Sequence, residues 1–306
     1  MKVLTSPSSF GKISTEPIEI LKSGGYEIID NPFGRKLTEA EVVELAKDCV
    51  GIVAGLEPLT PKVMDALPML KCISRVGIGM DNVDLEYAKS KSIIVTNTPD
   101  GPTRSVAEFT LAMTMSLLRK IPKSDADLKQ KKWNKLTGNL LFGKTVGVIG
   151  LGRIGRLVSE LFCGLGNKVI GYDPYPNQEW CDRIGVALVS MEEILSSADI
   201  ITLHVPGIAN GTPLLGPTEV AKIKKGAFVI NISRGGIVDE KALFDALKNG
   251  SLTGAAIDVF SDEPYSGKLC ELDNVVLTPH IGSYAEEGKV LMEIDAVNNL
   301  IEALKN

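Results

Sequence analysis

The feature that most constrains the fold is Gly150-Leu151-Gly152-Arg153-Ile154-Gly155, set between two segments of different period. Before it stands the β-branched run Thr145-Val146-Gly147-Val148-Ile149, and from Ile154 to Leu165 apolar residues recur at helical spacing. In a chain with 30 glycines the spacing G-x-G-x-x-G alone says little. A strand before it and a helix after it make it a dinucleotide-binding turn. Gly150 permits the tight turn, Gly152 lets backbone N–H groups approach a pyrophosphate, and Gly155 lets helix and strand pack closely. The helix start then offers unpaired N–H groups and a partial positive charge to the phosphates. The next strand, Lys168 to Tyr172, is followed by Asp173, about 20 residues along, where the fingerprint places an acid. A carboxylate there accepts from the ribose hydroxyls of NAD and repels the 2′-phosphate of NADP. The following Pro174-Tyr175-Pro176-Asn177-Gln178 supplies no Arg or Lys to offset that repulsion.

The turn belongs to a longer alternation. At 306 residues the chain suits two domains. Strands are expected at Lys2 to Thr5, Tyr26 to Ile29, Gly51 to Ala54, Cys72 to Val76 and Ile93 to Thr96. A second series follows Lys144: Thr145 to Ile149, Lys168 to Tyr172, Ile200 to Val205, Ala227 to Asn231, Gly254 to Val259 and Val275 to Leu277. Helical patterns lie between them. One runs from Thr38 to Asp48 and opens with a Thr38-x-x-Glu41 capping box. Near-continuous apolar strands alternating with helices read as parallel sheets covered on both faces. The chain is thus expected to be α/β with two such units, divided near the breaker cluster Pro99-Asp100-Gly101-Pro102. Ser105 to Arg119 reads as a helix apolar on most sides, which must be buried in a core or against another subunit.

Composition removes several function classes. A formal net charge of −5 argues against nucleic acid or an anionic membrane as the main partner. The start, Met1-Lys2-Val3-Leu4-Thr5-Ser6-Pro7, breaks too early for a secretory apolar core, and no run of roughly 18 apolar residues predicts a membrane span. Cys49, Cys72, Cys163, Cys181 and Cys270 are odd in number and widely spaced, which suits reduced thiols in a cytoplasm. With His204 and His280 as the two histidines, no clustered zinc ligand set is expected.

Three polar residues sit just beyond expected strands of the second series. Arg234 follows in Asn231-Ile232-Ser233-Arg234-Gly235-Gly236, Glu263 follows the next strand, which Asp258 ends, and His280 lies in Thr278-Pro279-His280-Ile281-Gly282. Ligands of open α/β sheets bind at the carboxyl ends of strands. An arginine there suits a carboxylate, pairing with it bidentately. A neutral histidine can take the proton of an alcohol while hydride leaves the same carbon, and a neighbouring glutamate fixes its tautomer. His204, in Leu203-His204-Val205-Pro206, reads as a structural residue at a strand end.

These motifs, with Arg75-Val76-Gly77-Ile78-Gly79-Met80-Asp81-Asn82-Val83-Asp84, resemble the D-isomer-specific 2-hydroxyacid dehydrogenase family over nearly the whole chain. The resemblance implies two doubly wound parallel-sheet domains. A Rossmann NAD-binding domain (100–283) would be inserted in a flavodoxin-like substrate domain (1–99 and 284–306). It implies Arg234, Glu263 and His280 as the catalytic set. The cofactor contacts would be Gly150, Gly152, Arg153, Ile154, Gly155, Asp173, Val205, Ile232, Ser233, Arg234, Asp258, His280, Ile281, Gly282 and Ser283. Asp258 would hold the nicotinamide amide. Arg75, Arg104, Arg234 and His280 would contact substrate, and the backbone N–H groups of Val76 and Gly77 would meet its carboxylate. It also implies a homodimer joined through the NAD-binding domains.

Within the family the motifs are most similar to members acting on D-3-phosphoglycerate, whose oxidation to 3-phosphohydroxypyruvate feeds serine biosynthesis. Two departures stand out. The chain stops at Asn306, so a C-terminal regulatory domain is expected to be absent, and Ile78 stands where many such members have threonine. Arg35, Lys36, Arg75 and Arg104 are the candidate cations for a substrate phosphate. Reduction of glyoxylate or hydroxypyruvate is the alternative within the class, and an NAD-sensing corepressor-like binding protein is the alternative outside it.

Overall fold

The computed structural model describes residues 1–207 and 211–305; Asn306, the end of the expected closing segment, lies outside them. The chain divides into two compact units, Met1–Ser105 with Ser283–Asn306, and Val106–Gly282.

In the first unit, five parallel strands are formed among the described residues: β1 (Lys2–Thr5), β2 (Glu27–Asp30), β3 (Cys49–Ala54), β4 (Cys72–Arg75) and β5 (Ile94–Asn97). Their order is β2-β1-β3-β4-β5, the flavodoxin-like winding. Strand β3 is central and buried at every residue, which explains its unbroken apolar sequence. Leu4, Ile52 and Ile73 pack with Leu59, Val63 and Met64 on one face. Val3, Val53 and Cys72 pack on the other, against Leu21 and against Ala296, Val297 and Leu300 of the helix Glu286–Lys305. The capping box forms: Glu41 N–H donates to Thr38 Oγ1, and the Glu41 carboxylate accepts from Thr38 N–H at 2.8 Å.

The second unit holds, among its described residues, seven parallel strands. They are β6 (Thr145–Ile149), β7 (Lys168–Tyr172), β8 (Ala187–Leu188), β9 (Ile200–Leu203), β10 (Phe228–Asn231), β11 (Gly254–Ile257) and β12 (Val275–Leu277). The order β12-β11-β10-β9-β6-β7-β8 reverses direction beside β6, the switch point at which such sheets bind ligands. The sequence reading did not foresee β8, a two-residue edge too short to carry a pattern. Strands β9 and β11 end two residues earlier than expected. Their last ladder bonds are made by His204 N–H to Ile149 O and Asp258 N–H to Asn231 O, after which both side chains turn to loop roles.

The long apolar helix starts earlier than expected, at Asp100 rather than Ser105, and runs to Leu118. Pro102 does not break it, because the first-turn N–H groups of a helix have no intrahelical partner to lose. Gly101 is required by packing instead. A Cβ there would lie 2.6 Å from Met292 Cγ and 2.7 Å from Gly288 O, so within the first unit the start of this helix meets the helix Glu286–Lys305 nearly backbone to backbone.

Candidate active site

The glycine turn is built as its sequence demands. Gly150 has φ +93°, and a Cβ on it would lie 2.3 Å from His204 O. A Cβ on Gly155 would lie 1.8 Å from Gly150 O, so the helix Arg153–Gly164 can start this close to β6 only over a bare glycine. A Cβ on Gly152, the residue capping that helix, would meet nothing within 4 Å among the described residues. The helix start is therefore open to an anionic group. Arg153 is exposed there and Ile154 is half-buried. Asp173 stands across the turn. One carboxylate oxygen accepts from Leu151 N–H and the other from Tyr175 N–H, both at 2.8 Å. A carboxylate offers about four acceptor positions, so two remain for a pair of ribose hydroxyls. These residues fit a dinucleotide.

Beneath the turn, His204 Nε2 lies 2.9 Å from Thr202 Oγ1. Desolvation pushes the His204 imidazole down to about 3, so it stays neutral, in keeping with a structural role. The unfolded chain binds a proton near 6.5. The contribution of His204 to stability is therefore full above that pH and is lost as pH falls from about 6.5 toward 3, at about 1.4 kcal/mol per unit. His204→Gln should flatten the acid side of stability by about that slope, read as urea midpoints between pH 7 and pH 4. Parallel curves for the two proteins would show that His204 is not desolvated.

On the other side of the switch point, β10, β11 and β12 deliver the expected trio at neighbouring strand ends. Asn231 ties the turn after β10: its Oδ1 accepts from Ser233 N–H and Oγ, and its Nδ2 donates to Arg234 O. Arg234 Nη1 donates to Ser233 O. Ile232 is buried, and Val205 and Ser233 are partly so. His280 follows β12 in the left-handed region, φ +54°, and its Nδ1 lies 3.0 Å from Glu263 Oε2. Glu263 is held in turn by Phe260 N–H, which donates to Oε1 at 3.1 Å. The pair is partly open to solvent, with side-chain exposures of 43% and 38%. With Nδ1 facing a carboxylate, Nε2 is the ring nitrogen left to exchange a proton with a substrate. A cavity of about 540 Å³ adjoins Glu263, lined by Phe260, Tyr265 and Leu277 among others.

Asp258 is engaged by its own chain. The resemblance implies that it holds the nicotinamide amide, yet its carboxylate, 1% exposed, is occupied by the loop that carries His280. Oδ1 accepts from Thr278 Oγ1 at 2.6 Å and from Ile281 N–H at 2.9 Å, and Oδ2 accepts from Gly282 N–H at 2.8 Å. Three of about four acceptor positions are used, so its observed task is to hold that loop. Thr278, which sequence reasoning passed over, is part of this arrangement; its place in Thr278-Pro279-His280 was the available signal. Ser283, partly buried, is where the chain re-enters the first unit.

In the first unit Arg75 ends β4, largely buried, and a Cβ on Gly77 would lie 2.8 Å from its Nη1. The guanidinium thus lies over the Gly77 backbone. The N–H groups of Val76 and Gly77 do not stand open as the expectation required. Val76 N–H donates to Ala54 O at 2.9 Å and Gly77 N–H to Thr98 Oγ1 at 2.7 Å. A carboxylate would have to share or displace those bonds. Arg104 is exposed on the helix Asp100–Leu118. Arg35 is taken up by Glu41, with N–O distances of 2.9 and 2.6 Å, whereas Lys36 is exposed. Among the described residues no group of three or more His, Cys, Asp or Glu could hold a metal ion, all five cysteines are free, and no helix is long and apolar enough to cross a membrane.

Comparison with known proteins places this geometry. Residues 111–282 match the D-isomer specific 2-hydroxyacid dehydrogenase, NAD binding domain. The chain is 39% identical over 307 residues to a D-3-phosphoglycerate dehydrogenase of Synechocystis, covering 99% of this chain and 54% of that protein. The chain spans about half the length of the curated relatives it matches. Among solved structures, the TT0316 protein of Thermus thermophilus superposes with a TM-score of 0.92 at 32% identity, over 100% of this chain and 97% of that one. The D-lactate dehydrogenase of Aquifex aeolicus, solved with NAD and lactic acid, gives 0.84 at 28% identity, over 100% and 96%. With a strand-end Arg, Glu and His trio beside a dinucleotide turn and these matches across its length, the chain belongs to the D-isomer specific 2-hydroxyacid dehydrogenase family.

Proposed function

We propose that the chain interconverts a 2-hydroxy acid and its 2-oxo acid with NAD, using Arg234, Glu263 and His280. The observation that carries this reading is the His280–Glu263 pair, placed on the same sheet as the glycine turn. NAD, whose pyrophosphate the glycine turn would hold, would supply the hydride acceptor or donor. Arg234 binds the substrate carboxylate as a planar fork and so fixes the carbon that exchanges hydride. In oxidation His280 Nε2 takes the hydroxyl proton; in reduction it returns one to the carbonyl oxygen. Glu263 keeps the ring oriented and stabilises its charged form. Intact Arg234, Glu263 and His280 weigh against a non-catalytic corepressor-like role.

For the substrate, D-3-phosphoglycerate has the support of relatives named for it at about 40% identity. Glyoxylate, hydroxypyruvate or another unphosphorylated acid has the support of one observation: Arg75, the buried candidate for the phosphate, shares its strand ends with the buried Glu57. A homodimer is supported by Trp133, Leu140 and Phe142, apolar and largely exposed after the long helix.

The test is turnover of a panel of 2-oxo acids with NADH and with NADPH. The Asp173 carboxylate should make kcat/KM higher with NADH by on the order of tenfold or more, the worth of a charge-assisted hydrogen bond. Asp173→Ala should narrow the gap. Equal values for the two cofactors in the wild-type protein would remove Asp173 from cofactor choice, and no turnover with any acid would remove the dehydrogenase reading.

A further inference from the structure

Glu57 is a buried acid that the mechanism above does not use. It is 1% exposed, in the loop after β3. Three neighbouring strand ends meet around it: Ser6 follows β1, Gly55 follows β3, and Arg75 ends β4 opposite Ala54. Gly55 N–H donates to both Glu57 carboxylate oxygens at 3.1 Å, and the Ser6 hydroxyl makes a short hydrogen bond to Oε1. Asn82 Nδ2 fixes the loop from across the sheet end by donating to Glu57 O at 2.7 Å and Gly55 O at 3.3 Å. The side chain is thus held in one place. Burial raises the Glu57 pKa, while its hydrogen bonds with Ser6 and Gly55 and the charge of Arg75 act in the opposite sense.

These contacts sit at the carboxyl end of a parallel sheet, where such folds receive ligands. The neighbouring strand ends in Arg75, opposite Ala54, with its guanidinium over Gly77 and its charge acting on Glu57. An acid buried there costs free energy unless a cation compensates it. Arg75, one strand away in register with Ala54, is the nearby cation whose charge acts on Glu57, and a carboxylate so placed reduces what Arg75 can offer to a second anion. A phosphate brings nearly two further negative charges, and like charges brought together in a poorly hydrated place repel strongly.

We propose that Glu57 is a specificity-determining residue: its buried carboxylate balances Arg75, so these strand ends take 2-hydroxy or 2-oxo acids with one negative charge and disfavour those that also carry a phosphate. This rests on the reading of Arg75 as a substrate contact, and it deepens the proposed function by choosing between its two substrate classes.

The test is calorimetric titration of the NADH-loaded protein with D-glycerate and with D-3-phosphoglycerate, hydroxy acids that cannot react with the reduced cofactor. The wild-type chain should bind D-glycerate more tightly, by on the order of tenfold. Glu57→Gln, which keeps an acceptor for Gly55 and Ser6 but removes the charge, should shift the ratio toward the phosphorylated ligand by a similar factor. The wild-type comparison stands even if the variant folds poorly. Tighter binding of D-3-phosphoglycerate by the wild-type protein, an unshifted ratio in a folded Glu57→Gln, or binding of neither ligand would each overturn the assignment. The expected binding ratio without turnover of any 2-oxo acid would instead uphold Glu57 and defeat the dehydrogenase reading.

Discussion

Replacing His280 by asparagine should lower kcat/KM about 10²–10⁴-fold, the usual worth of a positioned acid–base group. That is about 3–5 kcal/mol of barrier. Asparagine is a better choice than alanine because residue 280 lies at φ +54°, a region asparagine tolerates and alanine disfavours by roughly 1–2 kcal/mol. Loss of rate in His280→Asn then reports loss of the proton carrier rather than a distorted loop. Thermal stability should stay near that of the wild-type chain, since the side chain is partly solvent-exposed and pairs with the equally exposed Glu263. Glu263→Gln should cost less than His280→Asn. The glutamine oxygen can still accept from Nδ1, but its amide would then face Phe260 N–H, so the ring is held less firmly. Near-wild-type turnover in His280→Asn would take His280 out of the chemistry, whatever the fate of Glu263.

Legibility followed the range of the interaction. The glycine turn, the capping box at Thr38 and Glu41, and the series of strands rest on neighbours within a few residues, so their spacing can be read directly. Arg234, Glu263 and His280 could be singled out because each follows a recognisable strand, and a parallel sheet gathers such ends on one edge. What the sequence concealed depends on distant partners. The start of the long helix at Asp100 was hidden by Gly101 and Pro102, breakers in most contexts, which here serve a first turn and a close approach to Gly288. Glu57 in Gly55-Leu56-Glu57-Pro58 looks like any acid in a loop; its burial is set by Ser6, 51 positions away. The resemblance gives the N–H groups of Val76 and Gly77 to a substrate carboxylate, and nothing local in the sequence reveals that Ala54 and Thr98 already accept from them.

Asp258 gives the second large expected effect, and it separates the role implied by resemblance from the role seen. Its carboxylate accepts from Thr278 Oγ1, Ile281 N–H and Gly282 N–H, while its backbone oxygen accepts from His280 N–H at 2.8 Å. The residues on both sides of His280 are therefore tied to one buried acid 22 positions earlier. Asp258→Ala leaves three donors without their acceptor, and each buried donor so stranded costs about 1–3 kcal/mol. A loss of several kcal/mol in unfolding free energy should follow, with His280 displaced from its left-handed conformation. A misplacement of about 1 Å at a reacting group is enough to cost on the order of 10²-fold in rate. Asp258→Asn is the sharper variant because it keeps the shape and one acceptor oxygen. Its amide must face either Gly282 N–H or the Thr278 and Ile281 donors, so the loop loosens without collapsing. If Asp258 acts by holding the loop, Asp258→Asn lowers kcat and the urea midpoint together while KM for NADH changes little. If it acts mainly on the nicotinamide amide, KM for NADH rises while kcat and stability stay near the wild-type values, and the loop-holding account is then wrong.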